Sequence, residues 1–255
     1  MNPVRNRARA CAPEGPAGRA ISNGMKVAPV RTRVFKQDEN LVRFITRHIP
    51  ALKNGSVLAV TSKIVALAEG AVVQATNARA KEVIIRAESE WQLQAKYGKL
   101  TLKDGLLMWN AGIDESNARG NVILLPEDSF AVAKKIRSSL LQNYKIRKLG
   151  IIITDSRVMP LRAGVVGVAL GYAGFKGLRD YRGEKDIFGR KLKYTQTDIA
   201  DSLATAAVLV MGEGREQQPL CIIEDAPVVF AEKVNRSELV VAPKDDMYGP
   251  LLKIS

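Results

Sequence analysis

The sequence predicts an α+β fold in which packed helices cover mixed β-sheets. Short β-branched apolar runs bounded by turn formers read as buried strands, and other stretches repeat apolar residues at helical spacing. The two kinds of segment alternate too irregularly for a barrel. There is no GxxxxGK[ST] phosphate loop, no GxGxxG after a strand and no GxSxG elbow, so neither a P-loop nor a Rossmann architecture is expected.

Residues 1–24 carry Arg5, Arg7, Arg9 and Arg19 among Pro, Gly and Ala, with almost no large apolar residue, and are expected to form a disordered basic tail. The stretch lacks the apolar h-region of a secretory signal, which points to Met25 as an alternative start. Residues 25–255 read as one domain or two interleaved lobes. VRTRVF forms a strand in this reading. Asp38 caps a helix whose Leu41, Phe44, Ile45, His48 and Ile49 share a face. The single histidine, His48, reads as structural, which argues against a histidine base or a His-rich metal site.

Asn54-Gly55 makes a turn into the buried strand VLAVT, 57–61, and Ser62 caps the next helix with Lys63 in its first turn and Gly70 at its end. Free amides and a lysine at a helix start suit a phosphate; ordinary capping with a solvated lysine explains the same residues. AVVQ is strand-like. KEVIIRAESEWQLQAKYG mixes charge and apolar residues at helical intervals as far as Gly98. GLLMWNAGIDESN, 105–117, begins apolar and ends in a loop of oxygen donors: Asp114, Glu115, Ser116 and Asn117. NVILLP is another strand, and Pro126–Tyr144 an amphipathic helix with Phe130, Ala133, Ile136 and Leu140 on one face.

The organising stretch is GIIITDSRVMPLRAGVVGVALGYAG, 150–174. Gly150–Thr154 reads as a buried strand that delivers Asp155 and Ser156 into a loop, where a carboxylate beside a hydroxyl can hold Mg²⁺ or Mn²⁺; a plain Asp-Ser turn is the simpler alternative. Arg162 could clamp a carboxylate or phosphate, or sit free on the surface. The glycines that follow suggest close passage by a ligand or another backbone. Thr197 or Asp198 caps a helix closed by Gly212, and Glu213 projects from the glycine-rich exit toward a metal, unless Gly-Glu-Gly is only a terminator. LCIIE, VVFA and LVVA complete the strands.

The chain has 255 residues, 46% of them hydrophobic, and a formal charge of +13 that calls for anionic partners. Aromatics make up only 5% and interleave with no basic stripe, so a phosphate-rich small substrate is preferred to nucleic acid. No apolar run is long enough to span a bilayer. Cys11 and Cys221 suggest neither a disulfide framework nor a zinc site, which makes a reducing cytoplasm the default.

Taken together, SKIVALAEG, NAGIDESN, ITDSRVMPLRAG and the FGR-to-MGEG segment resemble the coenzyme F420-0:L-glutamate ligase (γ-glutamyl ligase) family, in consistent order from about Val30 to about Ala242. The resemblance implies a family-specific fold, an intertwined homodimer and GTP-dependent amide formation with Mg²⁺ or Mn²⁺, with ATP as the other nucleotide. It places metal ligands on Asp114, Asp155, Ser156 and Glu213. Nucleotide contacts fall on Ser62, Lys63, Asn117 and the run Met211, Gly212, Glu213, Gly214, Arg215 and Glu216; Asp155 and Arg162 are the catalytic candidates. Ser156 stands where the family commonly has threonine. The chain also lacks the family's Gly-aliphatic-Pro opening, and it has Ala66 or Leu67 where a basic residue is common, features in keeping with the divergent branch thought to extend folate. The substrates implied are L-glutamate, the nucleotide and an anionic carboxylate acceptor. The rivals are a basic RNA-binding protein whose aspartate loops are only turns, and a metal-dependent nucleotide hydrolase.

Overall fold

The computed structural model describes residues 24–116 and 121–252. Apart from Gly24, the expected basic tail lies outside the described residues. Strand β1 is Lys26–Val30, earlier than the VRTRVF run, because its register with Leu220–Glu224 ends at Val30. Asn40, not Asp38, caps helix α1, Leu41–His48, by accepting from Arg43 N at 2.9 Å. Asp38 instead turns the chain with φ 60° and donates its N–H to Leu67 O. His48 bonds its own helix at Phe44 O through Nδ1 (2.9 Å) and packs on the Phe44 ring.

Strand β2 is Ser56–Thr61, and helix α2, Ser62–Glu69, follows without a break and ends at Gly70. Ser62 is the first helical residue rather than the cap, which leaves its hydroxyl free for a longer-range bond. β3 is Val72–Val73 and α3 Ala78–Ala87, capped by Asn77. The helical reading fails beyond Ala87. Trp91–Ala95 is strand β4, paired with β5 (Gly98–Lys103), which in turn pairs with β6 (Leu106–Trp109). WQLQA alternates in polarity with period two, as a strand on a small solvated sheet should.

After a left-handed turn at Asn110–Gly112, closed by Ile113 N donating to Asn110 O, comes β7, Val122–Ile123, paired with β3. Helix α4, Ser129–Tyr144, starts at Asp128, which caps it by accepting from Ala131 N. β8 spans Leu149–Val158 and β9 Val165–Ala173. A second hairpin pairs β10 (Leu178–Asp180) with β11 (Gln196–Asp198) and runs directly into α5, Ile199–Met211, whose cap is Asp198. β12, Leu220–Glu224, and a short α6, Gly249–Leu252, end the described chain. Neither VVFA nor LVVA forms a ladder strand. Phe230 makes a single bridge to Phe175, and the segment is tied down by side chains instead: Tyr172 OH and Gly177 N both donate to Glu238, and buried Arg137 pairs with Glu232.

The central sheet runs β1-β12-β2-β8-β9; β2 and β8 are parallel and the other pairs antiparallel. Strand alternation sends Leu58, Val60, Ile151 and Ile153 into a core with α1, α2 and α4. Val57, Ala59 and Ile152 face the other way, against the alanine-rich side of α5. The sheet is thus covered on both faces, which explains why β2 and the first half of β8 read as unbroken apolar runs. No described helix is long and apolar enough to cross a membrane.

Candidate active site

The two parallel strands stop supporting each other at one level. β2 pairs with β8 as far as Thr61 opposite Thr154, and then α2 turns away. β8 continues through Asp155, Ser156 and Arg157 with only β9 beside it, after an irregularity in register at Ile153/Thr154. Asp155 and Ser156 therefore lie on an extended strand with one open edge rather than in a loop. The edge opens into a cleft of ≈ 690 Å³ walled by the start of α2, the Asp114 loop and the exit of α5.

The β8 edge, the Asp114 loop and the α5 exit each bring a carboxylate. Asp155 Oδ1 accepts from Ser62 Oγ at 3.1 Å, and its other oxygen pairs with the Arg157 guanidinium. Asp114 Oδ2 lies 2.6 Å from Lys63 Nζ, which also donates to Ser116 Oγ at 2.8 Å. Glu213 Oε1 accepts from Ser156 Oγ at 2.6 Å. The Asp114 loop is held by three successive left-handed residues, Asn110, Ala111 and Gly112 (φ 47°, 56° and 72°). Non-glycine residues pay about 1–3 kcal/mol for such backbone, which clusters at functional sites. Here it is locked from outside: Lys99 N donates to Asn110 Oδ1, Ala111 N to Thr101 Oγ1, and Asp114 exchanges backbone bonds with Ile123. At the α5 exit, Gly212 has φ 79°, and a Cβ there would sit 2.6 Å from Glu216 Cδ, so Glu216 can fold back to accept from Gly214 N.

Behind β9 lie two acidic groups with raised pKa values. Burial pushes Asp198 up to about 6, reinforced by the neighbouring Asp201. Burial also raises Asp201, while the bond from Ala169 N and the charge of Arg157 act in the opposite direction.

Of the residues the sequence singled out, Ser62, Lys63, Asp114, Asp155, Ser156 and the run Met211–Glu216 all line this one cleft. Arg162 does not: it sits in the exposed turn between β8 and β9, its N–H bonded to Met159 O. Asn117 lies outside the described residues. Among the described residues no three of His, Cys, Asp and Glu gather as a ready metal cage, since Asp114, Asp155 and Glu213 are held by separate partners. As a donor set, these carboxylates and hydroxyls offer only oxygen, which suits a hard divalent cation. The sequence reading missed Arg157 and Thr154, both on the cleft wall. The signal for Arg157 was its i+2 spacing from Asp155, which shares a face only if the strand runs on.

A family model described as F420-0:Gamma-glutamyl ligase matches residues 29–225, a span containing all three carboxylate-bearing walls of the cleft. The chain belongs to the F420-0:gamma-glutamyl ligase family. A protein of Methanopyrus kandleri named coenzyme F420:L-glutamate ligase is 39% identical over 218 residues, 78% of this chain and 86% of that protein. A Methanocaldococcus jannaschii protein of the same name is 31% identical over 248 residues, 87% and 95% of the two chains. A third, from Methanococcus maripaludis, is 42% identical over 146 residues, and that match spans 58% of its length. For a member of the F420-0:gamma-glutamyl ligase family, the cleft between α2, the Asp114 loop and the α5 exit is the candidate active site.

Proposed function

We propose that this chain adds L-glutamate to a carboxylate of coenzyme F420-0 in the cytoplasm, with GTP as co-substrate and Mg²⁺ or Mn²⁺ as cofactor, through an acyl phosphate. The observation that carries the reading is the meeting of three carboxylates with Ser62 and Lys63 in one cleft, within the span shared with the family. A free carboxylate acylates poorly because its oxide is a poor leaving group. Transfer of the γ-phosphoryl group to the acceptor carboxylate, releasing GDP, makes a mixed anhydride. The amine of glutamate then attacks the acyl carbon, phosphate leaves, and the amide forms as the nitrogen loses its proton.

The chain's own residues supply position and charge. The first amides of α2 and the Lys63 ammonium receive phosphate oxygens. Asp114, Asp155, Ser156 and Glu213 would hold the divalent cation, which when bound neutralises charge on the triphosphate. Lys63 is tied to Asp114 at 2.6 Å, and its ammonium would be free to turn to phosphate once that carboxylate held the cation. The turn through Gly212 lets the loop backbone approach the nucleotide closely. Arg162, off the cleft, is given no part in this reading. Two copies of the chain form the working enzyme, as the resemblance implies; the exposed apolar residues Leu161, Ile187, Phe188 and Tyr194 support that part of the proposal.

The test offers purified protein coenzyme F420-0 and a reduced folate in separate reactions, with glutamate, Mg²⁺ or Mn²⁺, and GTP or ATP. Mass spectrometry should show one added glutamyl unit on the F420-0, and phosphate release should require both acceptor and glutamate. Addition only to the folate reassigns the acceptor. Phosphate release without glutamate marks a hydrolase, and no product under any combination rejects ligation.

A further inference from the structure

The ligase reading leaves the Arg157 side chain without a role. It is 8% exposed, yet its donors are only partly used. Nη1 reaches Asp155 and, at 3.1 Å, the Ser156 carbonyl; Nη2 reaches the weakly accepting sulfur of Met108 at 3.6 Å; Nε has no partner. A guanidinium carries five N–H donors, and a buried donor left unmet costs stability. An arginine fork with spare N–H groups is a donor set for a phosphate oxygen.

Asp155 meanwhile has both oxygens engaged, one by Ser62 and the other by Arg157. A divalent cation on that carboxylate must stand close to the guanidinium charge, and like charges so placed oppose each other strongly where water is partly excluded. An anionic oxygen arriving between them removes the conflict, because it can accept from the fork and ligate the cation together. We infer that Arg157 is a resident counter-cation of Asp155 that holds the divalent ion off until nucleotide phosphate arrives, and then passes its fork to that phosphate. The inference rests on the ligase reading above and makes Arg157 a positioning residue that couples metal binding to nucleotide binding.

The readout is Mn²⁺ affinity, followed by electron paramagnetic resonance of the free ion. The full chain is titrated with and without a non-hydrolysable GTP analogue, with correction for Mn²⁺ held by the analogue itself. Wild type should bind Mn²⁺ about tenfold or more tightly once the analogue is present. Arg157→Met should bind Mn²⁺ alone about tenfold more tightly than wild type, with little further gain from the analogue. Arg157→Lys keeps the charge but loses the fork, so it should bind Mn²⁺ alone as weakly as wild type and show a smaller gain. If Arg157 merely orients Asp155, Arg157→Met loses about 10–100-fold in Mn²⁺ affinity whether or not nucleotide is present. That result, or a variant indistinguishable from wild type, overturns the inference and leaves the ligase reading standing. Should Arg157→Met fail to fold by circular dichroism, a gain in Arg157→Lys equal to wild type overturns it instead. Wild type that binds no Mn²⁺ under either condition rejects the metal part of the ligase reading, and the inference falls with it.

Discussion

At the residue scale the site is held by short hydrogen bonds and ion pairs, most of them between distant parts of the chain. Asp155 meets Ser62 across 93 positions of sequence, and Ser156 meets Glu213 across 57. Asp155→Asn should abolish glutamyl transfer and weaken Mn²⁺ binding, and because it leaves the buried Arg157 charge without its counter-charge it should also lower the melting temperature. Mass spectrometry of product and a thermal melt measure the two sides, and near-normal ligation with an unchanged metal requirement would remove Asp155 from the mechanism. Ser156→Ala should lower turnover less than Asp155→Asn, because it removes a hydroxyl and the Glu213 tether but no charge. Ser156→Thr should restore most of the loss.

At the element scale, the strands of the sheet interior and the helix faces were legible because burial on both sides enforces continuous apolar runs, as in VLAVT and GIIIT. The α5 cap, narrowed to Thr197 or Asp198, was legible too, as was the close packing at Gly167, Gly171 and Gly174, whereas Gly164 meets nothing within 4 Å. What could not be read was where pairing ends. Asp155 and Ser156 looked like loop residues because polarity returns at Asp155, whereas β8 runs on to Val158 against β9 alone, where one edge faces the cleft. Likewise WQLQA joined the preceding helical pattern because no Gly or Pro separates them. Arg157 escaped notice for the first of these reasons.

Two predictions belong at this scale. A Cβ added at Gly167 would lie 2.4 Å from the Ala204 carbonyl oxygen, so α5 rests backbone to backbone on β9. No side chain can swing aside there, and Gly167→Ala should cost about 1–3 kcal/mol, read as a lower melting temperature. Asp198 acts in the opposite sense. Its carboxyl is raised to about 6, so above that pH the fold holds a buried charge that the unfolded chain carries freely in water. That penalty fades as pH falls through 6 and is gone below the unfolded value. Asp198→Asn keeps an oxygen for the Asp201 N–H and removes the charge, so it should melt higher than wild type at pH 7.5, with the difference shrinking toward zero near pH 4. An unchanged difference across that range would show that the cap, not the charge, governs the site.

At the scale of the whole molecule, two features of the surface bear on partners. The formal charge of +13 favours anionic partners for the chain as a whole. The connection from β10 to β11 projects a tight tip at which Asp186 Oδ1 accepts from both Phe188 N and Arg190 N. That tip holds Ile187 and Phe188 at 91% and 89% exposure. Two large apolar side chains fixed so far into solvent by a well-bonded turn are costly unless something covers them. The dimer proposed above supplies the cover in the form of a second copy of the chain. Sedimentation equilibrium should give twice the chain mass at micromolar concentration, and the double substitution Ile187→Ser with Phe188→Ser should shift the protein toward the chain mass. The melting transition of each subunit should survive, because the tip contributes nothing to either core. A dimer untouched by the double substitution would place the interface elsewhere, and a wild-type monomer would reject the dimer. If instead the tip serves RNA, the same variant should lose filter-bound RNA with a steep salt dependence and keep its mass.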